Sequence, residues 1–278
     1  MTPALEDHYE DVLSKACSGL GIGKRELTER TGLPGESVHA AFRGTFETRT
    51  AEAVAPVLGL DAASLSRLGE GTPHPEFAPP AGLRAFTTPH PVPGYEEMTV
   101  NAYLAWDTAS KDAVVFDSGA NASPMLDVIS SEDLRVRAIL LTHAHGDHIA
   151  DLEKLGAQTG TPPVYIHANE SAPGAQSIQG GWILDVGSLR ITARETSGHS
   201  AGGTTYVVDG LEQPVAVVGD AIFASSVGGA GNAWTHALEA IRAQILSLPG
   251  DTLLCPGHGP LTTVAHEKAH NPFFPEFK

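Results

Sequence analysis

Cysteine is scarce in this chain, because only Cys17 and Cys255 occur among 278 residues. Two cysteines so far apart in sequence do not form the framework of a disulfide-stabilised secreted domain, so we expect a reducing, cytoplasmic environment. The beginning of the chain, MTPALEDHYEDV, is acidic and lacks the basic stretch and apolar run of a signal peptide. No apolar run approaches the roughly 20 residues that a membrane span requires. Insertion into a membrane is therefore not expected.

Positive charge is also in short supply. The chain has 17 Lys and Arg residues against 33 Asp and Glu residues, which gives a net charge of −16. This excess of negative charge opposes non-specific attraction to nucleic acid and to anionic membranes. Hydrophobic residues nevertheless make up 41% of the chain, which is enough for a sizeable core in one or two domains.

Prolines mark a division of the chain. The stretch at 71–82, GTPHPEFAPPAG, contains four prolines and is typical of a linker. The patterns at 1–70 are almost entirely helical, whereas short β-branched runs alternate with helical windows at 83–278. We therefore predict a small all-α domain at 1–70, a linker at 71–82 and a layered α/β domain at 83–278.

The predicted helical domain has the punctuation of a helix-turn-helix. Helical patterns at 24–31, 35–42 and 51–58 are separated by glycines and by Pro34. The stretch ELTERTGLPGESVHAAFRG, followed by AVAPVLGLDAASL, resembles the Cro and phage-repressor type of helix-turn-helix domain. Residues 1–70 carry seven Lys and Arg against eleven Asp and Glu, whereas a DNA-binding domain should present a basic face. We therefore expect a role in packing, protein contact or homodimer formation, with nucleic-acid binding as the minor alternative.

A cluster of potential metal ligands lies at 141–148, where the sequence is LTHAHGDH. His143 and His145 are two residues apart beyond a predicted strand, so an extended backbone projects both side chains to one side. Gly146 permits a tight turn, after which Asp147 and His148 would begin the next helix. The side chains before and after this turn would then point in different directions, so one loop could provide ligands to two neighbouring metal ions.

Three other potential ligands follow predicted strands in the same way. His199 comes after ITARETSG, Asp220 after PVAVVG, and His258 after TLLCPG. Functional groups are commonly carried on loops at strand ends, so these residues and the histidine cluster are expected to converge. Nitrogen and carboxylate ligands suit zinc, iron or manganese, and the absence of cysteine from the motifs disfavours a structural zinc site.

The motifs THAHGDH, SGHS, VVGD and PGHGP together resemble those of the metallo-β-lactamase superfamily, and DSG at 117–119 is similar to its early strand-end motif. The resemblance covers about 83–278 and implies an αββα sandwich. It also implies two zinc ions. His143, His145 and His199 would hold one, Asp147, His148 and His258 would hold the other, and Asp220 would bridge them.

Within that superfamily, the C-terminal stretch SLPGDTLLCPGHGPLTTVAHEKAHNPFF is similar to glyoxalase II and its short relatives. This likeness implies a hydrolase that cleaves a small thioester or ester by attack of a metal-bridging hydroxide on the carbonyl. Asp147 and Asp220 would be its catalytic carboxylates, and Asp147 would orient the hydroxide. The stretch SSVGGAGNAW lacks the arginine that such relatives usually carry after the bridging aspartate, so the identity of the substrate stays open. Trp234 and the preceding glycines are expected to shape the substrate entrance.

Three alternatives remain. A persulfide dioxygenase would use a single iron held by His143, His199 and Asp220, and a lactonase would use the same metals as the hydrolase. The native metal could thus be Fe²⁺ or Mn²⁺, and the centre could be mononuclear. The third alternative is a transcription regulator whose metal domain senses a ligand.

Overall fold

The computed structural model describes residues 4–278, and its first part is a group of five helices. Their bounds are α1 (Tyr9–Leu20), α2 (Lys24–Thr31), α3 (Gly35–Ala41), α4 (Thr48–Val57) and α5 (Ala62–Gly69). Gly21 and Gly32 end the first two helices in the left-handed conformation that glycine adopts readily. The helix predicted from residue 51 begins three residues earlier, at Thr48.

The first sheet contains six strands in sequential order. They are β1 (Leu83–Pro89), β2 (Thr99–Trp106), β3 (Asp112–Phe116), β4 (Arg135–Leu140), β5 (Val164–His167) and β6 (Ala175–Ile178). The first three strands are antiparallel, and the last four run parallel to one another. Parallel neighbours need crossover connections, which here include α6 (Ser123–Ser131), α7 (Gly146–Ile149) and α8 (Leu152–Gln158).

The second sheet also contains six strands, in the order β14-β13-β10-β9-β8-β7. Their bounds are β7 (Ile183–Val186), β8 (Leu189–Glu195), β9 (Thr204–Asp209), β10 (Val215–Gly219), β13 (Leu253–Pro256) and β14 (Thr262–Thr263). β10 and β13 are parallel, and the chain between them forms the hairpin β11 (Ile222–Phe223) and β12 (Ser226–Val227) and then α9 (Trp234–Gln244). The last long helix is α10 (Val264–His270).

Three hydrophobic clusters hold these layers together. One lies between the two sheets and includes Tyr103, Phe116 and Tyr206, all fully buried. A second lies between the outer face of the first sheet and helices α6 and α8. The third covers the outer face of the second sheet with α9, α10 and the N-terminal helices. The predicted αββα arrangement, preceded by a small all-α segment, is therefore confirmed.

The N-terminal helices pack directly against the sandwich. Trp234 lies against Phe273, with 5.4 Å between ring centroids, and a Cβ added at Gly19 would come within 2.1 Å of its ring. The backbone N–H of Asp61 also donates to the carbonyl of Pro272. The prediction that Trp234 shapes the substrate entrance is wrong, because this large apolar ring is only 4% exposed at the junction of the two parts. The division into a domain at 1–70, a linker at 71–82 and a domain at 83–278 stays a prediction.

None of the helices in the described part of the chain combines the length and hydrophobicity needed to cross a bilayer. Cys17 and Cys255 are both buried and unpaired.

Candidate metal centre

The seven predicted ligands lie together at one edge of the sandwich. His143 follows β4, His199 follows β8, Asp220 follows β10 and His258 follows β13. Asp147 and His148 lie in the short helix α7, at whose N-terminus His145 stands. Residues more than 100 positions apart are thus brought together because their strands end at the same edge.

The first group of potential ligands contains three histidines and one aspartate. His143 Nε2 and His199 Nε2 each lie 3.0 Å from His145 Nδ1. Asp220 Oδ2 lies 3.4 Å from His199 Nε2 and 3.8 Å from His143 Nε2. Four ligand atoms from four side chains therefore face a common point.

The second group contains Asp147, His148 and His258. Asp147 Oδ2 lies 3.3 Å from His258 Nε2 and 3.7 Å from His148 Nε2. Asp220 also reaches this group, with Oδ1 3.3 Å from His148 Nε2 and Oδ2 3.3 Å from His258 Nε2. Its carboxylate therefore stands between the two groups, as expected for a bridging ligand.

Hydrogen bonds on the far side of the rings fix four of the histidines. Their Nδ1 atoms contact Thr142 Oγ1 (His143, 3.0 Å), Asp117 Oδ2 (His148, 2.8 Å), the Gly229 carbonyl (His199, 3.0 Å) and the Thr99 carbonyl (His258, 2.6 Å). Outer hydrogen bonds of this kind are typical of metal-ligating histidines, because they set the ring orientation and leave the other nitrogen free to bind. Sequence reasoning noted the DSG motif but assigned Asp117 no role, and it missed Thr142 and Thr99.

Two buried atoms of the centre make no hydrogen bond in the described structure. These are His148 Nε2 and Asp220 Oδ1, which face each other at 3.3 Å. Leaving buried polar atoms unsatisfied is costly, so such atoms call for a partner. The donor set of imidazole nitrogens and carboxylate oxygens fits divalent zinc, iron or manganese. The residues therefore fit a pair of divalent metal ions.

Close approach restricts a neighbouring glycine. A Cβ added at Gly257 would come within 2.1 Å of Asp220 Oδ1 and 2.6 Å of the His148 ring. Any larger residue would push these two side chains out of position, so the turn before His258 needs glycine for its packing.

The protonation states of the histidines differ between the groups. Burial and the nearby His148 charge lower the pKa of His143 to about 2, so this ring is neutral at neutral pH. Burial alone would lower the pKa of His148 and of His258, but the Asp220 carboxylate raises them to about 10 and about 11. Metals entering the second group would therefore replace protons on these two rings.

The chain segment before α1 reaches this centre, which sequence reasoning did not foresee. Glu6 Oε2 lies 3.9 Å from His258 Nδ1. The next residue, Asp7, accepts hydrogen bonds from Lys15 and from Ser226 of β12. Nothing local in the sequence links residue 6 to residue 258, so only the tertiary packing reveals the contact.

Comparison with known proteins identifies relatives of the sandwich. A sequence model described as the metallo-beta-lactamase superfamily matches residues 95–258. The probable metallo-hydrolase YqgX of Bacillus subtilis is 31% identical over 202 residues, which cover 64% of this chain and 93% of the relative. The hydroxyacylglutathione hydrolase GloC of Haemophilus influenzae is 28% identical over 207 residues, which cover 66% of this chain and 95% of the relative.

Solved structures give a consistent result. The BLEG-1 B3 metallo-β-lactamase is 31% identical with a TM-score of 0.58, and the match covers 69% of this chain and 99% of that one. ETHE1 from Myxococcus xanthus is 26% identical with a TM-score of 0.58, and the match covers 69% and 85%. These relatives carry different names, so similarity alone does not select one substrate.

Proposed function

Because the chain belongs to the metallo-β-lactamase superfamily, we propose that it is a dinuclear metal-dependent hydrolase that cleaves a small-molecule thioester or ester, as a glyoxalase II-like enzyme would. The observation that carries this proposal is the convergence of two complete ligand groups on Asp220. Similarity to a hydroxyacylglutathione hydrolase over 95% of that protein's length supports the choice of thioester chemistry.

The proposed ligands are His143, His145 and His199 for one ion and Asp147, His148 and His258 for the other, with Asp220 shared. Two divalent ions held there would supply a water of lowered pKa and would polarise a carbonyl oxygen. Zinc is the proposed native metal.

The protein's own residues would position the reactants. Asp147, whose Oδ2 faces the second group, would accept a hydrogen bond from the attacking water and fix its direction. Asp220 would keep the two groups at a constant separation. With a thioester, the thiolate is a good leaving group that needs little protonation, so this reaction requires no separate general acid.

Metal analysis combined with a hydrolysis assay tests this function. Freshly purified protein is expected to contain about two zinc ions per chain, to release thiol from a lactoyl or acetyl thioester, and to lose activity on chelation and regain it when zinc is restored. A His236→Ala variant serves as control, because this exposed histidine hydrogen-bonds Ser197 outside the ligand groups. Full activity after removal of all metal would contradict the proposal.

The second candidate function is a mononuclear-iron persulfide dioxygenase. Its basis is the subset of His143, His199 and Asp220, which together offer the two histidines and one carboxylate typical of non-haem iron oxygenases. The presence of the complete second group favours the hydrolase instead. One iron per chain together with oxygen consumption on glutathione persulfide would establish the dioxygenase, and turnover of lactones in the hydrolysis assay would establish the lactonase.

We further propose that the N-terminal helices do not bind DNA. Helix α3, in the position of a recognition helix, offers no Lys or Arg, and the helical segment packs on the sandwich through the shared hydrophobic cluster. A sequence-specific shift in a gel-mobility assay would restore the alternative of a ligand-sensing regulator. The homodimer remains a prediction, which sedimentation would test.

A further inference from the structure

The loops around the metal centre contain no lysine or arginine. Seven segments begin at or just after strand ends at this edge, and four of them carry a proposed ligand; their bounds are 90–98, 117–122, 142–149, 167–174, 196–203, 220–233 and 256–261. Their sequences include Glu96, Glu97 and Glu170. An enzyme that binds an anionic substrate group usually supplies Arg or Lys to it. The surface that a substrate meets here lacks such partners.

A lysine that reaches this region from another element, Lys15, is already occupied. Lys15 of α1 pairs with Asp7, donates to the Val227 carbonyl at 2.9 Å, and lies over the Phe223 ring at 5.0 Å. With only 22% of its side chain exposed, Lys15 anchors the β11–β12 hairpin and is not available to a substrate.

Negative charge, by contrast, is added to the centre by the N-terminal segment. Glu6 stands 3.9 Å from the His258 ring and leaves 30% of its side chain exposed. The backbone around Glu6 lies against Gly259, because a Cβ there would meet Glu6 N at 3.1 Å. The Glu6 backbone therefore packs against the turn that carries His258, and its carboxylate lies on the Nδ1 side of that ring.

The loop at 90–98 adds to this negative side. It ends directly before Thr99, whose carbonyl contacts His258, and its Glu96 and Glu97 side chains are exposed. Glu6 thus lies beside His258 with no Lys or Arg in the surrounding loops to offset its charge, and Glu96 and Glu97 add negative charge to the loop that leads to Thr99.

We propose that the centre takes a thioester or ester whose carrier group is cationic or uncharged, and that Glu6 is a specificity-determining residue that discriminates against anionic carriers such as glutathione. This inference rests on the proposed hydrolase function and narrows its substrate class. The N-terminal helical segment then has a direct role in the site, because it supplies Glu6 and, through Lys15 and Asp7, fixes the hairpin that follows Asp220.

The experiment compares three acetyl thioesters that differ in the charge of the thiol: thiocholine (cationic), N-acetylcysteamine (neutral) and 3-mercaptopropionate (anionic). The zinc-loaded full chain should show kcat/KM falling in that order. Exchanging a nearby unit charge typically changes such a ratio by about fivefold to tenfold. Glu6→Gln should lower the ratio of cationic to anionic substrate by about fivefold, and added salt should lower it in the wild type.

Two matched variants control for structural damage. Glu6→Asp keeps the charge and should retain most of the discrimination. Glu52→Gln removes an exposed carboxylate on α4, away from the centre, and should leave the ratio unchanged. An unchanged ratio in Glu6→Gln, or a wild-type preference for the anionic thioester, would overturn the inference.

A binding measurement separates this inference from the proposed function. The three free thiols are titrated into the zinc-loaded protein by calorimetry, which requires no turnover. Tighter binding of thiocholine than of 3-mercaptopropionate, weakened in Glu6→Gln, supports the charge selection even if no thioester is hydrolysed. Equal or reversed affinities overturn it, whereas failure of hydrolysis alone counts only against the hydrolase.

Discussion

The free energy of unfolding should decrease as pH rises through neutrality because of Glu267, and replacing Glu267 by glutamine should remove this decrease. Glu267 lies on α10 and is fully buried. Its carboxylate accepts hydrogen bonds from Thr262 Oγ1 (2.6 Å), Ser225 N (3.0 Å) and Asn271 Nδ2 (2.8 Å). Burial raises its pKa to about 7, although these donors oppose the shift.

The magnitude follows from the difference between the folded pKa and the ordinary value of 4.5. Because the folded pKa is the higher one, the protonated carboxyl stabilises the fold at low pH, and this contribution disappears as pH rises through about 7. Between about pH 5.5 and about pH 8.5 the loss amounts to roughly 2 kcal/mol. For a chain of this size, that corresponds to about 4–8 °C in Tm.

Glutamine has nearly the same shape and does not ionise. Its oxygen can accept from Ser225 and Asn271, while its amide can donate to the Thr262 hydroxyl. We therefore expect the difference in Tm, Glu267→Gln minus wild type, to be about 4–8 °C larger at the upper end of this pH interval than at the lower end. Calorimetry or circular dichroism measures it.

The control is Glu239→Gln, which changes an exposed glutamate on α9. This variant should follow the wild type at every pH. A constant difference in Tm between Glu267→Gln and wild type at both pH values would refute the reasoning, because it would mean that Glu267 does not change its protonation state in this interval.

Three further predictions concern the metal centre and the packing of the helices. His258→Ala should reduce the zinc content from about two ions to about one per chain, because the second group loses one of its three own ligands. The zinc content is measured by mass spectrometry, and loss of both ions together would contradict this prediction. Asp117→Asn weakens the hydrogen bond to His148 Nδ1 and should lower metal affinity by about 10-fold to 100-fold. Competition with a chelator measures this affinity, and an unchanged value would show that Asp117 does not orient His148. Trp234→Ala should destabilise the protein by about 3–5 kcal/mol in denaturant titrations and expose the N-terminal helices to proteolysis. The control Thr235→Ala changes an exposed neighbour and should have neither effect. Equal behaviour of the two variants would contradict the proposed role of Trp234 in packing the helices on the sandwich.

Much of the sandwich could be predicted from the sequence because its buried strands are continuous apolar runs. AIL at the end of β4 and VAVVG in β10 are completely buried, and each ends directly before a potential ligand or the loop that carries one. Since functional groups are commonly carried on loops at strand ends, the sequence also predicted that His143, Asp220 and His258 would converge. The short-range helix signals at Gly32 and Pro34 were equally readable.

The wrong prediction for Trp234 has a physical origin. Trp234 follows the glycines next to Asp220, so its position along the chain suggested an entrance residue. In the fold, however, its ring is buried between Gly19 and Phe273. Both residues are far from Trp234 in the sequence and contact it only through tertiary packing. A large apolar ring goes where it loses most contact with water, and local sequence does not state where that place is.

By itself, the sequence predicted a layered α/β domain with candidate ligands at strand ends, because strand patterning is a local property of the chain. The resemblance of its motifs to the metallo-β-lactamase superfamily implied the αββα sandwich and the assignment of the seven candidate ligands. The absence of Lys and Arg from the seven segments between residues 90 and 261 can also be read from the sequence. The sequence does not show that these segments lie together. Only the tertiary structure decided that Asp220 stands between both ligand groups and that Glu6 reaches His258. Such contacts depend on how separate elements pack, which is a property of the whole folded chain and of no single stretch.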